Sequence, residues 1–336
     1  MMEWKIDGKN YRLPEKLTEF QFQMYVHLID WKWTHITEEP GYYRGTPYDA
    51  FFPEGMLDEM YPLSRHIVAR AKKLSFKQHK FFHHMASSQA ACINLFLPIM
   101  SDPVVAATIL SAARPDIAKI ATEYLDNGFQ FELWSAPWQN YGSRGVLNDH
   151  TKGAGTDSDF AVTYYDKDGH LCLWLIEHKL TEQGFTRCGG YRSRANRFPA
   201  NCNSIDAKTV MLNSGSLCYY SAHCGYQYWD FTQEPHFSVQ NIAQYPKCPF
   251  KEDLNQLWRN QTLARALETA PIQKSFFSVV YHPHNPALGS HLREFEQLAP
   301  IRFSHFATNL LVRKAESLDN HAIKEWAKWY RELYYF

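Results

Sequence analysis

The chain predicts an α/β fold, and three observations carry that expectation. Phe129–Trp134, Thr156–Tyr165, Leu171–Lys179 and Ser275–Tyr281 read as strands, either alternating in polarity or continuously apolar. Helical spacing of apolar residues brackets them, through Met85, Ala86, Ala90, Ile93 and Leu97 before, and over 255–270 and 319–334 after. The composition, 45% hydrophobic with 22 Phe, 20 Tyr and 10 Trp in 336 residues, supplies enough apolar surface for a large core and excludes general disorder.

Taken in order, the first 60 residues are aromatic and broken by turn signals at Pro40-Gly41, Gly45-Thr46-Pro47 and Pro53-Glu54-Gly55. Residues 1–75 therefore read as a loop-rich, aromatic extension packed on a core formed by 76–336. From Leu63 to Gly128 helices are expected: one ending near Pro98, one after Pro103, and a third from Pro115 to Leu125. Asp166-Lys167-Asp168-Gly169 supplies a turn that joins two strands as a hairpin. The terminal helix carries Trp326, Trp329 and Tyr330 as a packing face.

Lys and Arg balance Asp and Glu at 35 each, so any attraction to a polyanion has to come from a local groove. The charged start and the lack of a run of about 18 apolar residues predict a cytoplasmic protein without a membrane partner. Seven cysteines, an odd number, argue against a complete disulfide framework. Cys188, Cys202, Cys218 and Cys224 are spaced too irregularly for a strong zinc motif, even with His223 beside them, and give no convincing match to an iron–sulfur centre. Buried unliganded thiols are the first reading and structural zinc the second. His282-Pro283-His284 reads as a turn with solvent-facing imidazoles.

The chemistry concentrates on the hairpin. Alternate strand residues share a face, so Glu177 and Lys179 point one way while Ile176 and His178 point the other. Asp159, at the start of the preceding strand, can be folded beside them. Two carboxylates make a hard oxygen site for magnesium, with manganese as a substitute. A bound ion of this kind polarises a phosphate and lowers the pKa of an attacking water. The lysine can position that water, help deprotonate it, or neutralise charge developing in the transition state. The competing reading is an ordinary surface ion pair.

Asp159 followed by Glu177-x-Lys179 after a hairpin resembles the active-site signature of the PD-(D/E)XK nuclease superfamily. The ordered set is more specific: His84–Phe96, Thr156-Asp157-Ser158-Asp159, Ile176–Glu182 and Gln256–Gln261 resemble a bacterial family described as restriction endonucleases, over roughly residues 80 to 335. The resemblance implies a restriction-endonuclease-like mixed central sheet flanked by helices, with C-terminal helical elaboration, and metal-dependent hydrolysis of DNA. It implies Asp159 and Glu177 as metal ligands and Lys179 as the water-orienting or charge-stabilising residue. Two departures stand out, Ser158 where proline gives the superfamily its name and His178 where an apolar residue is usual. His178 is expected to be a packed, hydrogen-bonded residue.

Gln89 lies where many related nucleases place an acidic residue, and either holds a metal-bound water or phosphate or satisfies polar groups between helices. Ser88 and Asn94 are candidates to support the same edge. Glu182 belongs to the outer shell of the site or is an exposed acid opening a helix. Arg187, Arg192, Arg194 and Arg197 form either a phosphate-gripping segment or a solvated loop. Arg259 contacts DNA or pins Glu268 and its neighbours. These readings predict a magnesium-dependent DNA endonuclease in restriction or defence, with a homodimer as one route to paired cuts. A structure-specific nuclease of the same fold and an inactive DNA- or protein-binding module are the alternatives.

Overall fold

A computed structural model describes residues 2–53, 56, 78–151 and 155–336. The helical expectation over 63–77 and the boundary at residue 75 lie outside them. The centre of the fold is a mixed six-stranded sheet, flanked on both faces by helices. Its middle strand is β8 (Leu171–Lys179), buried along its whole length. Two small hairpins precede the sheet, β1 (Met2–Ile6) with β2 (Lys9–Leu13), and β3 (Gly41–Tyr43) with β4 (Thr46–Tyr48).

β8 pairs antiparallel with β7 (Ser158–Asp166) across the expected hairpin, and parallel with β9 (Lys274–Tyr281). β10 (Phe303–Ala307) extends the sheet beyond β9. The outer edge of β7 is shared. β6 (Phe129–Leu133) pairs with its first half and β5 (Ile117–Ile120) with its far end. The strand β5 replaces the helix expected over 115–125. Ile117 and Ile120 gain burial by closing the sheet edge against Asp166 and Tyr164, and that tertiary pairing overrides a weak local helical pattern.

Strand alternation divides β8 between two cores. Cys172, Trp174 and Ile176 face the first, with α2 (Ser88–Ile99), α3 (Pro103–Leu110), α6 (Asn309–Glu316) and α7 (His321–Tyr334). Leu171, Leu173 and Leu175 face the second, with α4 (Asn255–Leu267) and α5 (Gly289–Leu298). α2 is buried on nearly every side because it is the inner helix of the first layer. The Ser87 hydroxyl caps it by accepting from Ala90 N, and Pro98 falls in its last turn. No single described helix is long and apolar enough to cross a membrane; α2 and α3 pass that test only as a pair, bent by 116°.

The N-terminal extension contains more order than its turn signals suggest. α1 (Glu19–His35) opens on a capping box between Thr18 and Gln21. It docks on the core through Trp31 against Trp329 at 6.4 Å, Phe20 against His282 at 5.2 Å, and a hydrogen bond from Gln21 Nε2 to Thr181 O of 3.0 Å. The expected aromatic face of α7 is present, with Trp326 and Tyr330 buried. His282 departs from the solvent-facing expectation. It is 1% exposed, its Nε2 lies 2.7 Å from Tyr334 O, and burial lowers its pKa to about 4; His284 alone of the pair faces solvent.

α2 meets β7 through Phe96, stacked on Phe160 at 4.2 Å and 4° with both rings fully buried. Phe96→Ala should destabilise the fold by about 3–5 kcal/mol through the lost area and the cavity left behind. Chemical denaturation checks this, and a loss below about 1 kcal/mol would contradict the packing described.

Candidate active site

The site forms where β7 and β8 part. Their ladder runs to Phe160 opposite Ile176, and continuing it by one residue sets Asp159 opposite Glu177. Beyond that pair, side chains replace the ladder. Ser158 Oγ accepts from Ile176 N at 3.0 Å and donates to Ile176 O at 3.1 Å, while Asp159 Oδ2 accepts from His178 N at 2.7 Å. A proline at 158 could not supply that hydroxyl, so the serine holds the strand ends in register by its own means.

Glu177 and Lys179 share the face of β8 that looks toward α4, and both are buried, at 4% and 6% exposure. Glu177 Oε1 accepts from Lys179 Nζ at 2.7 Å and from Gln256 Nε2 at 2.7 Å, and Oε2 accepts from Asn260 Nδ2 at 2.7 Å. Gln256 and Asn260 lie four residues apart on α4, hence on one helical face. Burial lowers the Lys179 pKa, but the charges of Glu177, Glu182 and Asp159 outweigh it and the net shift is upward, so the lysine is a cation throughout the physiological range. His178 points to the other face. Its Nδ1 lies 3.2 Å from Ser88 Oγ, and burial and the Lys179 charge lower its pKa to about 3, leaving it neutral.

Glu132 on β6 joins this site and is absent from the sequence-derived set. The pairs Phe131–Phe160 and Leu133–Ser158 bracket it directly beside Asp159, so Glu132, Asp159 and Glu177 form a row across three strands. Glu132 has φ 53°, an uncommon conformation for a residue with a side chain. That twist lets Phe131 pack into the first core and Leu133 into the second. Burial, then the Asp157 charge, pushes the Glu132 carboxyl up to about 8, with Glu177 adding to the effect. Burial, then Glu177 and Glu132, holds Asp159 well above the usual carboxylate range, against the opposing pull of Lys179 and the His178 N–H. Three crowded carboxylates of this kind make a donor set that a divalent cation would relieve.

Gln89 contributes indirectly. Its Oε1 accepts from His79 N at 2.8 Å and its Nε2 donates to Glu132 Oε1 at 2.6 Å, so the amide positions a carboxylate. Asn94 is turned away from the site and donates to the Tyr334 hydroxyl at 2.7 Å. Glu182 lines the same cleft and accepts from Leu180 N at 2.7 Å; no helix begins there, because 180–188 run as irregular chain.

The cleft has a volume of about 1620 Å³. Asp157, Asp159, Glu177, Lys179 and Glu132 line its floor, and the N-terminal extension supplies a wall with Tyr43, Arg44 and Tyr48. Lys80, placed 4.6 Å from the Phe81 ring centre, and Arg44, 5.2 Å from that of Tyr43, bring positive charge to this wall. None of the sequence-derived arginines lines the cleft. Arg187 donates to Asp253 at 2.9 Å and Arg192 to Glu252 at 3.5 Å, whereas Arg194 and Arg197 are exposed. Arg259 is half-buried near Tyr228, Tyr220 and Asp149. It does not hold Glu268, which is paired with His236 at 2.8 Å.

A second group, Asp166, Asp168 and His170, brings possible metal-ligand atoms within 4.8 Å of one another. It lies at the opposite end of the hairpin, roughly 20 Å from Asp159 along β7. The Asp166 carboxylate there accepts from Asp168 N, His170 N and, at 2.7 Å, Lys274 Nζ, so turn geometry and a lysine already account for its arrangement.

The profile of a family described as Restriction Endonuclease associating with ARP matches residues 30–335, and the chain belongs to that family. Comparison with curated proteins and comparison with solved structures each gave no match.

In the fold Glu132 keeps its proton up to about pH 8, whereas an unfolded chain releases it near 4.5. The folded state thus holds the extra proton between those values. The stabilisation is full below pH 4.5 and is lost as pH rises through 8. The unfolding free energy of metal-free protein should fall from pH 5 to pH 8, by up to about 1.4 kcal/mol per pH unit for this one proton. Glu132→Gln should flatten that slope in denaturant titrations, and an unchanged slope would contradict the assignment.

Proposed function

We propose that the chain is a divalent-metal-dependent endonuclease that hydrolyses phosphodiester bonds in DNA, acting in restriction or defence in the cytoplasm. Membership of a restriction endonuclease family supports DNA as the substrate. The observation that carries the chemistry is the row Glu132–Asp159–Glu177 beside a charged Lys179 on the floor of an open cleft.

Asp159 and Glu177 would hold the ion, with Glu132 as a third oxygen donor. Magnesium suits this set because it is bound by a few carboxylates together with water and phosphate oxygens, and manganese fits the same donors. A bound ion would polarise the phosphate and lower the pKa of an attacking water. The remaining work falls to protein groups. Gln256 and Asn260 fix the Glu177 carboxylate, and the His178 N–H and Ser158 fix the direction of Asp159. Lys179, held protonated, stabilises negative charge developing on the phosphate and is not a base in this state. Arg44 and Lys80 on the cleft wall are placed to meet a DNA backbone, and Arg194 and Arg197 are available for phosphates outside the cleft. A homodimer would place two such sites for cutting both strands.

Magnesium-dependent cleavage of circular and linear duplex DNA tests the proposal, the circular substrate reporting internal cuts. Lys179→Ala and Asp159→Asn should each lower the cleavage rate by about 10²–10³-fold while the protein remains folded. Wild type and Lys179→Ala cutting at the same rate would sink the assignment of the lysine.

A further inference from the structure

The cleft wall supplied by the N-terminal extension repeats one pattern twice, an aromatic ring beside a cation. On the β3–β4 hairpin the pair is Tyr43 with Arg44, and on the chain leading into α2 it is Phe81 with Lys80. All four side chains line the cleft, the cations exposed and the rings half-buried. The two rings are neighbours, with centroids 5.7 Å apart and planes at 54°. Both pack on Phe51, at 6.0 and 6.4 Å, and Phe51 is itself buried. The two segments therefore form one surface on a common base.

Arg44 and Gly45 fill the two central positions of the hairpin turn, at φ 52° and 78°. Asparagine, aspartate or glycine suits the first of these positions best, so the turn alone does not select arginine. The wall is also tied to the acidic floor. His79 N donates to Gln89 Oε1 at 2.8 Å, and Gln89 Nε2 donates to Glu132 Oε1 at 2.6 Å. His79 Nδ1 in turn accepts from Phe81 N at 3.3 Å. The aromatic surface and the carboxylate row are thus neighbours in one cleft.

Charge and ring chemistry select the ligand. Among the described residues, six carboxyl groups line the cleft against three cations, Arg44, Lys80 and Lys179, and Lys179 is already paired with Glu177 at 2.7 Å. A duplex brings one phosphate charge per about 1.7 Å of its axis, and a single strand about half that density. Paired bases are covered by their stacked neighbours and show a protein their edges, whereas unpaired bases offer whole faces. Stacking on an aromatic side chain contributes about 5- to 150-fold in affinity per base. The cations beside the rings do not block this, because an exposed contact of that kind contributes only about 2- to 5-fold and the same cation can turn to a phosphate. Trp134 lines the cleft as well, but its ring is already stacked on His150 at 4.1 Å and 25°.

We propose that Tyr43 and Phe81 form a stacking platform for two unpaired bases, with Arg44 and Lys80 on the flanking phosphates, so that the site takes single-stranded or locally unpaired DNA. The choice of DNA rests on the nuclease reading above, whereas the platform rests on the wall itself.

Fluorescence anisotropy on the full-length protein in chelator at low salt separates binding from cleavage. The probes are a mixed-sequence oligodeoxynucleotide, its duplex, and the same strand carrying a run of abasic sites. The single strand should bind about tenfold or more tighter than the duplex, and the abasic sites should cost it about tenfold or more. Tyr43→Ala and Phe81→Ala should each weaken single-strand binding at least about fivefold and leave the duplex unaffected, while Tyr43→Trp and Phe81→Trp retain it. Lys80→Ala should instead weaken base-bearing and abasic strands alike and lower the salt slope by about 0.7. Because alanine at Tyr43 or Phe81 can loosen the packing on Phe51, the abasic comparison on wild-type protein stands as an independent readout. No binding of the single strand, equal affinity for strand and duplex, or no loss with abasic sites would overturn the platform. Base-dependent single-strand binding by a protein that cuts no DNA in magnesium would uphold the platform and count against the nuclease reading. Magnesium-dependent duplex cleavage without any preference for the single strand would do the reverse.

Discussion

Acceptor oxygens buried to the extent of those of Glu177 are costly unless donors meet their lone pairs, and much of the surrounding structure meets that requirement. Lys179 comes from the same strand face, while Gln256 and Asn260 come from one face of α4. The position of α4 against β8 is therefore part of the site as well as part of the second core. Removing one partner would leave a buried charge uncompensated, which costs far more than an exposed ion pair contributes.

The acidic row imposes the opposite demand. Glu132, Asp159 and Glu177 approach one another from three adjacent strands; Glu177 raises the energy of the ionised form of both Glu132 and Asp159, and Glu132 that of Asp159. The fold answers with raised carboxyl pKa values at Glu132 and Asp159 and with hydrogen bonds from Gln89 and the His178 N–H. The same crowding is what a divalent cation would reverse. Geometry adds a second cost at Glu132, whose left-handed backbone turns Phe131 and Leu133 into opposite cores. The uncommon conformation and the unusual electrostatics fall on one residue at the edge of the cleft.

Much of this was legible in the sequence because β8 has two periodicities that reinforce one another. Its apolar run announces a strand buried on both faces, and its alternation places Glu177 and Lys179 together and His178 apart. Asp159 could be placed by the hairpin turn. Glu132 could not, because the alternating Phe129–Leu133 strand reads as ordinary and the pairing of β6 with the start of β7 is a tertiary fact. The short β5 was hidden for the same reason. α1 escaped because its aromatic residues surround the helix and mask the stripe, although its Thr18–Gln21 capping box was readable. The arginine run is legible as charge, but charge in sequence does not say which acids will claim it, and Asp253 and Glu252 claim Arg187 and Arg192.

The proposed chemistry requires Asp159 and Glu177 to act as one cation site. A crystal of the full-length protein soaked in manganese, with anomalous scattering used to locate the ion, addresses that claim without requiring the correct DNA sequence. An anomalous peak is expected between the Asp159 and Glu177 carboxylates, lost in Asp159→Asn. A peak confined to Asp166, Asp168 and His170, with none at Asp159, would contradict it.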